Sequence, residues 1–217
     1  AKPDGSGLEV VITGGMNNPV GLAFNEAGER FLSGTFFDLS KPGRRDGILH
    51  AVYGGMYGRK NDRVLAQHPH TGDLLPILAQ TGPSAPSGIL MPRSDALGVK
   101  GDLLCADFNL RRISRHNLSR SGSSYAVETD TFLESDQTNF HPTDVIEDAD
   151  GSLLVADTGS WYHICCPTSK LSKPRILGGI YRIQKTDAAV PGDPRGLKLD
   201  WKKPAVTHLS DERPVVV

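Results

Sequence analysis

The chain has 217 residues, with 24 Lys and Arg against 25 Asp and Glu, a formal net charge of −1. That balance excludes the basic field that nucleic acid or an anionic membrane surface would require, and no stretch approaches the roughly 18 apolar residues of a membrane span. With 38% hydrophobic and 23% charged residues the composition is globular, and 24 Gly and 15 Pro without long helical periodicity favour many short strands.

In chain order, residues 8–13 read as a strand and Gly14-Gly15-Met16-Asn17-Asn18 as a turn. A pattern then arrives three times. Pro19-Val20-Gly21-Leu22-Ala23-Phe24 is followed by a turn at Gly28 and a second run to Gly34. Pro86-Ser87-Gly88-Ile89-Leu90-Met91 is followed by Gly101 and a run to Asp107, and Pro142-Thr143-Asp144-Val145 by Gly151 and a run to Asp157. The step from Pro to Gly is nine residues in the first and third copies, and that from Gly to the closing Gly or Asp is six in all three. Third strands are expected over 48–53, 112–117 and 179–183. Fainter fourth strands are expected over 63–67 or 74–79, 126–132 and 198–201. Copies starting 67 and 56 residues apart fit one four-stranded antiparallel sheet plus loops, the size of a propeller blade. The expected fold is therefore all-β, a partial β-propeller of about three four-stranded blades. A two-sheet sandwich also spaces short strands with turn signals and is the alternative.

The last hairpin carries the most specific constellation. If Glu147 pairs with Ser152 across the turn Asp148-Ala149-Asp150-Gly151, then Pro142 faces Asp157, His141 faces Thr158, and His141, Asp144 and Asp157 gather at the open end. A His beside carboxylates can act as general base, metal ligand or hydrogen-bond anchor, whereas Asp residues there can equally cap strand ends. Asp107 and Arg111 occupy the same end of the preceding copy, where Arg111 could bind an anion. The insert over 158–178 adds Trp161 and the adjacent pair Cys165-Cys166, too close in sequence for an unstrained disulfide. His68-Pro69-His70 alternates as a metal site would, but lies in an outer turn. There is no Gly-x-Gly-x-x-Gly, phosphate loop, Gly-x-Ser-x-Gly or His-Glu-x-x-His, and no Cys-x-x-Cys-His to attach a c-type haem on this chain.

Phe140-His141-Pro142-Thr143-Asp144-Val145, Asp150 through Gly159, and Trp161-Tyr162-His163-Ile164-Cys165-Cys166-Pro167 leading to Gly179-Ile180-Tyr181-Arg182-Ile183 resemble the large bacterial membrane-bound dehydrogenases. In these a glucose/sorbosone-dehydrogenase-like propeller is followed by HEAT-type repeats and a haem-binding cytochrome c domain. The resemblance covers about residues 8–186 and implies a six-bladed propeller of which this chain is roughly the second half. Residues 187–217, with Pro191, Pro194 and Pro204, would be a closing strand and linker toward the helical repeats. The start at Ala1 and the final Val215-Val216-Val217 likewise read as cuts in a longer protein.

By that resemblance the protein would be exported to the periplasm and would oxidise a sugar or sugar-derived alcohol. Pyrroloquinoline quinone (PQQ) would sit at the propeller mouth, calcium would be expected beside it, and electrons would leave for a haem domain outside this chain. The resemblance carries no catalytic residue over; the hairpin register and the inserts themselves make His141 and Asp144 the expected catalytic pair, with Asp107, Arg111, Asp157, Trp161, Cys165 and Cys166 around the cofactor. The alternative function is a non-catalytic propeller that binds a glycan or a protein on the same face.

Overall fold

The computed structural model describes residues 1–161, 173–187, 192–208 and 211. Its strands in chain order are β1 (Thr13–Gly15), β2 (Leu22–Phe24), β3 (Arg30–Gly34), β4 (Asp46–His50), β5 (Met56–Gly58), β6 (Ala79–Gly82), β7 (Pro86–Leu90), β8 (Leu103–Asp107), β9 (Arg112–Ser121), β10 (Ser124–Glu134), β11 (Pro142–Glu147), β12 (Leu153–Gly159) and β13 (Leu177–Ile183). They form three successive antiparallel sheets, β2-β3-β4-β6, β7-β8-β9-β10 and β11-β12-β13, plus a small parallel pair of β1 with β5. The fold is a partial β-propeller, and the three repeated hairpins are its inner strand pairs.

Each seam between sheets is aliphatic. Ala23, Phe31 and Ile48 of the first sheet share a core with Ile89, Leu103 and Cys105 of the second. Leu104, Ala106 and Ile113, on the other face of the second sheet, share one with Val145, Leu153 and Val155 of the third. The alternation of each strand sends every second side chain to one seam and the remainder to the next. The Gly of the Pro-x-Gly pattern is required by that packing. A Cβ on Gly21 would lie 2.5 Å from the Ser87 carbonyl oxygen, and one on Gly88 2.8 Å from Asp144 Cα.

Several expectations are corrected. Residues 8–13 are not a strand: Leu8 is exposed, and β1 begins at Thr13, with Gly14 against the Tyr57 backbone where no Cβ fits. Residues 63–65 belong to a single helical turn, α1 (Asp62–Leu65), because Asn61 accepts from the Arg63 and Val64 amides as an N-cap, and the fourth strand of the first sheet is β6 rather than 63–67 or 74–79. Residues 198–201 form no strand, so among the described residues the third sheet has three strands rather than four. Last, the final turn closes one residue later than expected: the Asp148 amide donates to the Ser152 carbonyl, and Glu147 pairs with Leu153. A bulge between Pro142 and Asp144 absorbs the difference, so Pro142 still faces Asp157.

Candidate functional site

The starts of β7 and β11 and the ends of β8 and β12 lie on one face, because antiparallel pairing sets Pro86 opposite Asp107 and Pro142 opposite Asp157. Asp157 is buried there. Its Oδ1 accepts the His141 and Gly159 amides, both at 2.8 Å, while Tyr181 Oη lies 3.5 Å from Oδ2. The carboxylate thus ties the segment entering β11 to the one leaving β12, and it positions the His141 backbone.

The imidazole of His141 is half-buried. Its Nδ1 is 3.0 Å from the Asn139 carbonyl oxygen, which can only accept, so Nδ1 carries a proton and Nε2 is the ring nitrogen left to exchange one. The ring centroid is 4.8 Å from that of Phe108 at 47°, which joins the mouths of the second and third sheets. Lys173, at the far side of the long insert, donates to Asn139 Oδ1 at 2.7 Å. Residue types alone carried no signal for Phe108 or Asn139, since neither is titratable.

Asp107 is fully buried and accepts from Arg112 Nε at 2.9 Å. Burial pushes its carboxyl above the ordinary range, while the Arg112 hydrogen bond and charge act in the opposite direction. Arg111 adopts the left-handed conformation (φ 56°), and its carbonyl receives the Ser135 amide. Among the described residues its guanidinium forms no ion pair. In the first sheet the corresponding carboxylate comes from an unexpected strand. Asp46 of β4 is fully buried, accepts from the Phe36 and Ala85 amides and forms a two-bonded pair with Arg45.

The structure does not bring Asp144 to the cluster. It stands opposite Ala156, beyond the bulge, is exposed, accepts from the Val145 amide and lies against Gly88 of β7. Trp161 is 53% exposed where the insert begins. Cys165 and Cys166 lie outside the described residues. Cys105 is a buried free thiol whose pKa burial pushes well up, as suits a core residue. His68 and His70 are in a loop, with His70 Nδ1 bonded to the His68 carbonyl oxygen. Beside Asp157 is a cavity of about 450 Å³ lined by Glu134, Asn139, Phe140, Leu177 and Tyr181 among others. Among the described residues no group of three or more His, Cys, Asp or Glu side chains could hold a metal ion.

This arrangement belongs to the class of propeller mouths in which loops on a rigid scaffold carry the polar groups. An oxidoreductase of Thermus thermophilus described as a glucose dehydrogenase has a similar fold, with a TM-score of 0.53 at 20% identity over 76% of this chain and 45% of that one. The PQQ-bound form of an aldose sugar dehydrogenase from Streptomyces coelicolor aligns at 18% identity over 77% of this chain and 44% of that one, with a TM-score of 0.47. The chain therefore spans less than half the length of these solved structures. No family model matches the chain, and no curated protein does.

Proposed function

We propose that the chain carries part of the mouth of a quinoprotein-type dehydrogenase that oxidises a sugar or sugar-derived alcohol. The observation that carries this reading is the His141 imidazole, with Nδ1 engaged by the Asn139 carbonyl, Nε2 left as the accepting nitrogen, and its backbone held by buried Asp157. A base so oriented can take the hydroxyl proton of an alcohol as the carbon is oxidised. The residues present suit a flat polyanion such as PQQ. Phe108 and His141 offer ring surface, and the Arg111 guanidinium is uncommitted among the described residues, whereas Arg112 is engaged by Asp107. When bound, the quinone supplies a two-electron acceptor for the hydride leaving the alcohol carbon.

His141 at Nε2 holds the proton, Asp157 keeps the His141 backbone in place, and Arg111 and Phe108 orient. Asp144, set back beyond the bulge, has no part in this scheme. No step is assigned to calcium. Transfer of the electrons to a haem domain and a periplasmic location rest on the sequence resemblance.

The test is to load the protein with PQQ and calcium and to follow dye reduction with a panel of sugars. His141→Ala should lower turnover by about 10²-fold or more with an unchanged circular dichroism spectrum, while His68→Ala should change little. Unchanged turnover in folded His141→Ala would remove the proposed base. The cavity beside Asp157, with its mixture of carboxylate, amide and aromatic groups, favours a second reading, a glycan-binding propeller without catalysis. Sugar-dependent shifts of the Tyr181 resonances without dye reduction would select it.

A further inference from the structure

A second polar cluster spans the seam between the first and second sheets at the end away from the mouth. β4 leaves the mouth at Asp46 and ends at His50, while β9 leaves it at Arg112, opposite Asp107, and returns as β10 from Ser124. There His50 Nδ1 is 3.0 Å from Ser124 Oγ, and His50 Nε2 is 3.2 Å from Glu29 Oε2. Glu29 in turn accepts from Tyr125 Oη at 2.5 Å and from Arg120 Nη2 at 2.6 Å. The Tyr125 hydrogen bond first, and Arg120 with it, keep the Glu29 carboxyl below the ordinary range, so it is ionised and only accepts. His50 Nε2 therefore carries a proton. Burial lowers the pKa of His50 below 6.5, against the pull of Glu29, so at neutral pH Nδ1 presents a lone pair to the Ser124 hydroxyl. The ring is held on both sides: Phe31 stacks on it with centroids 5.4 Å apart, and Tyr125 meets it edge-on at 5.2 Å.

We infer that Ser124 and His50, with Glu29 as their positioning residue, form a second catalytic centre, separate from the mouth, that hydrolyses small carboxylic esters through an acyl-serine. Nucleophile, base and orienting carboxylate stand in one hydrogen-bonded series, as acyl transfer requires. Ser124 is half-buried at the hairpin tip beside exposed Ser123, so a substrate can reach it, whereas the base is buried. Tyr125 and Arg120 line a cavity of about 410 Å³ together with Met91, Pro92 and Leu118, which has room for the apolar part of an ester. A clasp between the two sheets would not need Ser124, because Asn25, Arg120 and Tyr125 already join them around Glu29. In the reaction Ser124 Oγ bonds to the ester carbonyl carbon as His50 Nδ1 takes its proton. The bond from that carbon to the alkoxy oxygen then breaks, and Nδ1 returns the proton to the leaving alcohol. Water repeats the sequence on the acyl-serine, releasing the carboxylic acid and restoring the hydroxyl. Arg120, whose guanidinium lies over the Tyr125 ring at 4.8 Å, is the cation that stabilises the negative carbonyl oxygen.

Hydrolysis of p-nitrophenyl butyrate and labelling by a fluorophosphonate test this without any quinone, so the outcome is separable from that of the redox reading. The protein should release p-nitrophenol catalytically and carry the label on Ser124, located by peptide mass spectrometry. Ser124→Ala should lose both properties and Ser123→Ala neither. His50→Gln should slow both by about 10²-fold or more, and Glu29→Gln should lower kcat while leaving KM unchanged. Because a change at buried His50 can disturb folding, Ser124→Cys gives an independent reading: beside the imidazole its thiol should be alkylated by iodoacetamide several-fold faster at neutral pH than that of Ser123→Cys. No label on Ser124, hydrolysis that persists in Ser124→Ala, an unaltered rate in folded His50→Gln, or equal alkylation of the two cysteine variants would each overturn the inference.

Discussion

His116 shows how a single buried group couples this sheet to pH. It is fully buried, with Nδ1 2.9 Å from Thr129 Oγ1 and Nε2 3.0 Å from Ser114 Oγ. Burial, helped by the charge of Arg112, lowers its pKa from 6.5 to about 4. The folded ring therefore stays neutral over a range in which the unfolded chain already binds a proton. Stability falls as pH drops from 6.5 toward 4, by about 3 kcal/mol. His50, whose pKa burial also lowers, acts in the same direction, while Asp107, pushed up by burial, acts in the opposite one. Melting temperatures across this window should show the acid slope, and His116→Gln should flatten it. His116 was legible in the sequence only as part of a strand. Its protonation depends on the sheets that exclude water from it.

At the scale of the element, the repeated hairpins were readable because each rests on local chemistry: a Pro at the start, a Gly in the turn, and an apolar second strand. Gly28 and Gly151 both have φ 77°, a conformation that side chains disfavour. Gly88 is of another kind. Its conformation is ordinary, and its lack of a Cβ matters because β11 passes over it. Gly88→Ala should destabilise the protein by about 1–3 kcal/mol, read from denaturant midpoints, because the new methyl would meet the Asp144 backbone. The bulge after Pro142 was not legible, since it compensates for a turn that closes one residue late. Only the neighbouring strand shows that the shift ends before Asp157. The same bulge separates Asp144 from the carboxylate it was expected to join.

For the whole molecule, equivalent positions have different energetic weight according to their place in the arc. Ile113→Ala leaves a cavity in a seam and should cost about 2–5 kcal/mol. Ile180→Ala, on the exposed face of β13, should stay within about 0.5 kcal/mol. Chemical unfolding of both variants checks the contrast.

By itself the sequence determined the class of fold, the three hairpins, their spacing, and the face on which His141, Asp107 and Asp157 stand. Those features follow from two-residue periodicity and turn chemistry, which are local. Which of these residues meet was decided only in the tertiary structure. The Phe108 ring reaches His141 across a seam, Asp46 supplies the first sheet's carboxylate from its third strand, and Asp144 is turned aside by a bulge. Each of these depends on how one sheet lies against the next, and no single strand encodes that distance.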